Sequence, residues 1–158
     1  MNVLIAVDGP EFGKIISDFV CNYRFPPRTA FRVITVVDTP RAASASQEPE
    51  IAVARALVRN IAQRIADTFP GSDVRDAVIY GLPAQEILDL SDEWPAHLIV
   101  VGSHGRRAIG RFVMGSVSTA VVLHAHCSVV VVRLPVAGAR EQELRKTAVR
   151  GAISHVTP

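Results

Sequence analysis

Five short runs rich in valine and isoleucine, separated by stretches with helical spacing, constrain this chain more than any other feature. The runs are residues 3–7, 31–37, 74–79, 97–101 and 128–132. The first, fourth and last are almost continuously apolar rather than alternating. Continuous runs suit parallel strands covered on both faces. After the first run, Phe12, Ile15, Ile16, Phe19 and Val20 fall on one helical face. After the second, Ala54, Leu57, Val58, Ile61, Ile65 and Phe69 form a longer stripe. That stretch opens on Glu48 and Glu50 and stops at Pro70-Gly71, acidic at its start and broken at its end as helices prefer. A third helix is predicted from Pro83 through Ile87, Leu88 and Leu90, and a fourth from near Ser116 through Val117, Ala120, Val121 and His124.

The resulting order, βαβαβαβαβ, predicts an α/β domain: a doubly wound five-stranded parallel sheet with helices on both faces. Right-handed crossovers leave few topologies. In the order 2-1-3-4-5 the winding reverses between strands one and three. In the order 3-2-1-4-5 it reverses between strands one and four. Ligands bind outside the carboxyl ends of strands at that reversal. Periodicity does not choose between the orders; the chemistry below favours 3-2-1-4-5.

The length of 158 residues suits one domain. A net charge of +2 gives little support for nucleic acid as the main partner, and none is expected. Cys21 and Cys127 are far apart and form no zinc-ligand spacing, so they read as small buried hydrophobes. The N-terminus lacks a basic stretch, and no apolar run approaches the ~18 residues of a membrane span. A soluble cytoplasmic protein with no membrane partner is expected. Beyond Pro135 the chain turns polar, with Glu141, Glu143, Arg145 and Lys146. Residues 1–134 are therefore read as the domain and 135–158 as a polar tail or short surface helix.

The chemistry concentrates after the fourth run. Gly102 and Gly105 follow the strand, and Gly115-Ser116 opens the next helix. Glycines let a backbone turn sharply and approach a ligand closely. Unpaired N–H groups at a helix start attract anions, and the helix dipole adds to this. Ser116 and Ser118 supply hydroxyls, and Arg106, Arg107 and Arg111 supply positive charge. Together they form an anion cradle suited to a di- or triphosphate. The GxxxxGK[ST] pattern is absent, and the glycine spacing is not GxGxxG. The competing reading is a tight strand exit and a plain helix cap.

Asp8-Gly9 ends the first run. If strands one and four are neighbours, Asp8 faces the Gly102 loop, where a carboxylate can accept hydrogen bonds from ribose hydroxyls. The alternative is a cap for the helix beginning at Pro10, and the two roles are compatible.

The start Ala6-Val7-Asp8-Gly9, the segment Gly81-Leu82-Pro83-Ala84 and residues 98–133 resemble the universal stress protein family. Its ATP-binding members carry glycine, two residues, glycine, nine residues, then glycine and serine or threonine. Gly102, Gly105, Gly115 and Ser116 match this spacing. The resemblance implies a Rossmann-like fold of the adenine nucleotide alpha hydrolase-like type, binding ATP. It implies that Asp8 contacts ribose, that Ala6 and Val7 line the site, and that Val36 or Val37 holds adenine through backbone groups. Gly102 would lie by the ribose, and Gly105, Gly115, Ser116, Val117 and Ser118 would hold phosphates. His104, Arg106 and Arg107 fall in the variable part of the loop; they are inferred nucleotide contacts, weighed against solvated loop residues. Three departures stand out: Pro10 in place of the usual serine, a short connection over residues 38–48, and the added tail.

Two function classes follow. One is a nucleotide-dependent regulatory protein. The other is a slow ATPase or phosphoryl-transfer enzyme, which would need a base and a metal-binding carboxylate. Asp8 is the obvious acid and is better used on ribose, so no catalytic residue is assigned and a non-enzyme is expected. A dimeric scaffold with an empty site is a further alternative, and the intact glycine spacing argues against it. Whether magnesium or manganese accompanies ATP stays open. Val129, Val130, Val131 and Val132 are predicted at a sheet edge, where pairing with a second copy would form a homodimer. Alternatively, the tail folds over that edge.

Overall fold

All five apolar runs enter one parallel sheet. The computed structural model describes residues 1–37, 48–103 and 114–133. In chain order the elements are β1 (Asn2–Ala6), α1 (Pro10–Asn22), β2 (Ala30–Val37), α2 (Glu48–Thr68), β3 (Val74–Tyr80), α3 (Pro83–Glu93), β4 (Leu98–Gly102), α4 (Ser116–His124) and β5 (Ser128–Val132). The strands lie in the order β3-β2-β1-β4-β5. This is the 3-2-1-4-5 arrangement. Ala6 at the end of β1 stands opposite Ile34 on one side and Val101 on the other.

Side chains alternate between the two faces of the sheet. Val3, Ile5 and Val7 pack with Phe12, Ile16 and Val20 of α1 and with Val58, Ile61 and Ile65 of α2. Leu4 and Ala6 point the other way, toward Ile87 of α3 and Val121 of α4. Two helices therefore cover each face. β1 and β4 are sealed from both sides, which is why their sequences are apolar without interruption. β5 is similar in sequence but different in position. Its middle valines are half-buried and Ser128 is exposed, as befits an edge. β3, at the opposite edge, exposes Arg75, Asp76 and Ala77.

The cysteines differ from the expectation of full burial. Cys21 and Cys127 are both free and half-buried. Cys21 packs on the α1–α2 side of the sheet and Cys127 on the α3–α4 side. Burial pushes the Cys127 thiol up, nearby Asp92 adds to this, and a backbone hydrogen bond at Ile99 opposes both. Among the described residues, no helix is long and apolar enough to cross a membrane.

A polar link ties α1 to α2. Arg64 donates to the Ser17 hydroxyl at 2.8 Å and pairs with Asp18 at 2.6 Å. Lys14 reaches the same Asp18 at 3.0 Å. The hydrogen bond from Lys14, then that from Arg64, holds the Asp18 carboxyl below the usual carboxylate range. Since its folded pKa is depressed, Asp18 adds stability above the unfolded value of about 4, and that contribution disappears as pH falls through the folded value. The pair is solvent-exposed, so its worth is below about 1 kcal/mol. Ile5 is fully buried, and truncating such a side chain to alanine costs about 2–5 kcal/mol. Urea unfolding at pH 7 should therefore show a large loss for Ile5→Ala and a small one for Asp18→Asn. The Asp18→Asn difference should vanish in strong acid. A deficit of similar size in both variants would contradict this ranking.

Candidate functional site

β1 and β4 are neighbours whose continuations leave on opposite faces. β1 runs into α1, whose buried residues lie on one face, while α4 packs on the other. A crevice opens between such diverging connections at the carboxyl ends of the strands. The winding reversal thus falls between β1 and β4, where Asp8 and Gly102 had been expected to meet.

On the β1 side, the turn into α1 is made by Gly9, with φ 83° and ψ 165°. Only glycine adopts this region without strain. Gly9 is the N-cap of α1, Pro10 follows, and the cap makes no side-chain hydrogen bond. Asp8 precedes the cap and is exposed. The N-cap position itself is taken by Gly9, one residue after Asp8. Ala6 and Val7 bury their side chains in the two core layers.

On the β4 side, the Ser103 carbonyl is the junction. It accepts from the Gly115 N–H at 2.7 Å. It also accepts from the Ser118 hydroxyl at 3.2 Å, and that hydroxyl lies 3.0 Å from the Gly115 carbonyl. The Ser103 N–H in turn donates to the Val132 carbonyl at 2.8 Å. The start of α4 is thereby pinned to the exits of β4 and β5. Gly115 is the N-cap, with φ −61° and ψ 155° and no side-chain cap. Any residue could adopt those angles, so the turn itself does not require glycine there. The first intrahelical bond runs from the Thr119 N–H to the Gly115 carbonyl at 2.9 Å. The N–H groups of Ser116, Val117 and Ser118 consequently begin the helix without an intrahelical acceptor.

The two serines differ in exposure. Ser116 is exposed, whereas Ser118 is 2% exposed and spends its hydroxyl on the junction. Val36 and Val37 differ too. The Ala30 N–H donates to Met1 and the Ile34 carbonyl accepts from Val7, so even-numbered residues of β2 turn their backbone toward β1. The Val37 carbonyl accepts from Gly81 on the β3 side. Val36 therefore faces the side where β1 has already departed into α1. Gly102 closes β4 opposite Val132 and is half-buried. His104, Gly105, Arg106 and Arg107 lie outside the described residues, as do the connection after Val37 and the tail. No cluster of His, Cys, Asp or Glu among the described residues is arranged to hold a metal.

Ser103 was not singled out from the sequence. It acts through a main-chain carbonyl, which leaves no mark on residue type. Gly9 had a visible signal, a glycine between a strand and a proline-led helix.

The arrangement defines a class: a doubly wound α/β domain with its winding reversal between β1 and β4, and with glycine N-caps at the starts of α1 and α4. The universal stress protein family model matches residues 1–133, and the chain belongs to the universal stress protein family. It is 28% identical over 139 residues to a putative universal stress protein of Staphylococcus haemolyticus, covering 84% of each chain. It is 37% identical over 65 residues to universal stress protein MJ0531 of Methanocaldococcus jannaschii, covering 41% of this chain but only 38% of that one. Among solved structures, protein MJ0577 shares the fold with a TM-score of 0.73 at 22% identity, covering 85% of this chain and 96% of that one. The Archaeoglobus fulgidus universal stress protein in complex with dAMP has a TM-score of 0.59 at 22% identity, covering 84% and 97%. An Arabidopsis thaliana family member with AMP bound has a TM-score of 0.56 at 17% identity, covering 87% and 94%.

The junction generates a contrast. Ser118→Ala should lower the melting temperature, reflecting about 0.5–1.5 kcal/mol for the lost hydrogen bond. Ser116→Ala should stay within about 0.5 kcal/mol of the parent, as surface substitutions do. Thermal unfolding followed by circular dichroism checks this; an equal effect of the two would refute the junction role.

Proposed function

We propose that this protein binds ATP in the β1–β4 crevice and acts as a nucleotide-dependent regulatory or stress-response factor, without fast chemistry. The observation that carries the reading is the uncapped start of α4. There the Ser116, Val117 and Ser118 amides lack an intrahelical acceptor behind a glycine that the backbone angles do not require. Glycine at such a point leaves room for a close-approaching anion. Phosphates would rest on these amides, helped by the Ser116 hydroxyl and by Gly105, with His104, Arg106 and Arg107 as further contacts. Asp8 would accept from ribose beside Gly102. Val36, rather than Val37, would hold adenine through its N–H and C=O, with Ala6 and Val7 behind. Family members with AMP or dAMP bound support an adenine nucleotide. ATP and an accompanying magnesium or manganese ion are finer parts of the proposal. The domain is placed at residues 1–134, with 135–158 as a tail beyond it.

Phosphoryl transfer would need a general base and metal ligands in the crevice. Asp8 is the one carboxylate this assignment places there, and it is committed to ribose. A regulatory binder is therefore the better reading than an ATPase. A cytoplasmic location fits this role. The half-buried β5 edge, Val129 to Val132, is proposed to pair with a second copy in a homodimer. Sedimentation should give twice the 17.0 kDa chain mass, and a stable monomer would oppose it.

Calorimetric titration tests the binding itself. ATP uptake is expected at or below millimolar concentration. Gly115→Asp separates the readings cleanly, because aspartate is a favoured N-cap. It should preserve or raise the melting temperature while weakening ATP binding, since its carboxylate competes for the amides and repels phosphate. Undiminished ATP affinity in folded Gly115→Asp protein would overturn the phosphate assignment.

A further inference from the structure

The first turn of α1 contains a residue that helix propensity alone would disfavour. Gly13 sits on a buried face of the helix, and glycine within a helix costs about 1 kcal/mol relative to alanine. Its lack of a side chain has a packing reason. A Cβ at position 13 would stand 2.9 Å from Ile61 Cδ1 and 3.0 Å from Leu57 Cδ1 of α2. Leu57 and Ile61 are one turn apart, so α1 rests directly on that turn of α2. Phe12 and Ile16 flank Gly13 in the core and leave the helix little freedom to roll.

The same residue is wired to the crevice. The Gly13 N–H donates to the Gly9 carbonyl at 3.0 Å, the first hydrogen bond of α1. Gly9 holds the turn that follows Asp8. A group added at position 13 must displace either the tips of Leu57 and Ile61 or the start of α1. Ile61 is 6% exposed, with Val58 and Ile65 fully buried beside it, whereas Leu57 is half-buried, so the Ile61 tip resists an added group more than the Leu57 tip does.

We infer that Gly13 is a positioning residue. The close seat of α1 on Leu57 and Ile61 sets where Gly9 and the Asp8 carboxylate stand at the mouth of the crevice. The inference rests on the nucleotide reading for its functional consequence, but not for its structural content. It makes α2 part of the site without touching ligand, and it lets substitutions in an α2 stripe tune binding at Asp8.

The test compares wild type, Gly13→Ala, Gly13→Val and the combined variant Gly13→Val/Leu57→Ala/Ile61→Val, which removes both terminal methyls that a Cβ would meet. Two readouts are used: backbone amide spectra without ligand, and titration with ATP. Gly13→Val should move the Asp8 and Gly9 amide signals and weaken ATP binding about tenfold, equivalent to about 1.4 kcal/mol. Opening the α2 side in the combined variant should restore both. A purely local effect of the substitution would persist in the combined variant, and that result overturns the inference. So do unmoved Asp8 and Gly9 signals in folded Gly13→Val protein. If Gly13→Val fails to fold, Gly13→Ala carries the same amide readout with Leu57→Ala/Ile61→Val as its rescue, and the same outcomes decide. Wild-type protein that takes up no ATP would instead remove the nucleotide reading, leaving the amide comparison to judge the seat of α1.

Discussion

β1 is hydrogen-bonded to β2 along one edge and to β4 along the other, and both of its faces are buried. A strand held in this way cannot shift by one residue without turning Val3, Ile5 and Val7 into the wrong core layer. Its end is therefore fixed, and so is the level at which β2 and β4 lose their neighbour. The connections then part, α1 to one face and α4 to the other. Among the described residues, those at the parting include the Val36 backbone past the last rung, the Asp8-Gly9 turn and the first amides of α4. The crevice is thus a consequence of how the sheet must terminate, rather than an addition to it.

Main-chain groups at such a place act as a set or not at all. A single charge beside a helix start gains about 0.3–1 kcal/mol when exposed. A millimolar affinity already requires about 4 kcal/mol. On the proposed reading no one contact supplies this. The amides of Ser116, Val117 and Ser118, the ribose contact at Asp8 and the backbone pair at Val36 have to work together, each net hydrogen bond contributing about 1 kcal/mol. The Ser103 carbonyl matters for that reason. By accepting from Gly115 and Ser118 it fixes the start of α4 relative to β4, so the donors need not be ordered anew when an anion arrives.

Much of the fold was legible. The strands begin and end within a residue or so of the apolar runs, because burial on two faces leaves an unbroken valine and isoleucine record. Pro83 and the Glu48–Glu50 start mark helices for the chemical reasons that make them good helix starts. The sheet order was legible only through chemistry, since periodicity does not report which strands are neighbours. Burial at the margins was less readable for the cysteines, since Cys21 and Cys127 are half-buried, whereas the edge position expected for the run 128–132 is found. At the site, residue type pointed to Gly115, Ser116 and Ser118 together. It could not show that the Ser118 hydroxyl is turned inward, that Val36 rather than Val37 faces the gap, or that Ser103 acts through its carbonyl. Those distinctions depend on strand parity and main-chain hydrogen bonds, to which side-chain identity is blind. Gly13 carried a signal, a glycine inside an otherwise sound helix, whose meaning needed the position of α2.

The central claim is that the first amides of α4, together with Asp8 and the Val36 backbone, hold an adenine nucleotide. Amide-resolved NMR during titration of the wild-type protein with ATP addresses it most directly. The account predicts saturable shifts concentrated at Ser116, Val117 and Ser118, with further shifts at Asp8, Gly102 and Val36, while the amides of β3 stay still. Saturable shifts elsewhere that leave the α4 start unmoved, or no shifts at millimolar ATP, would contradict it.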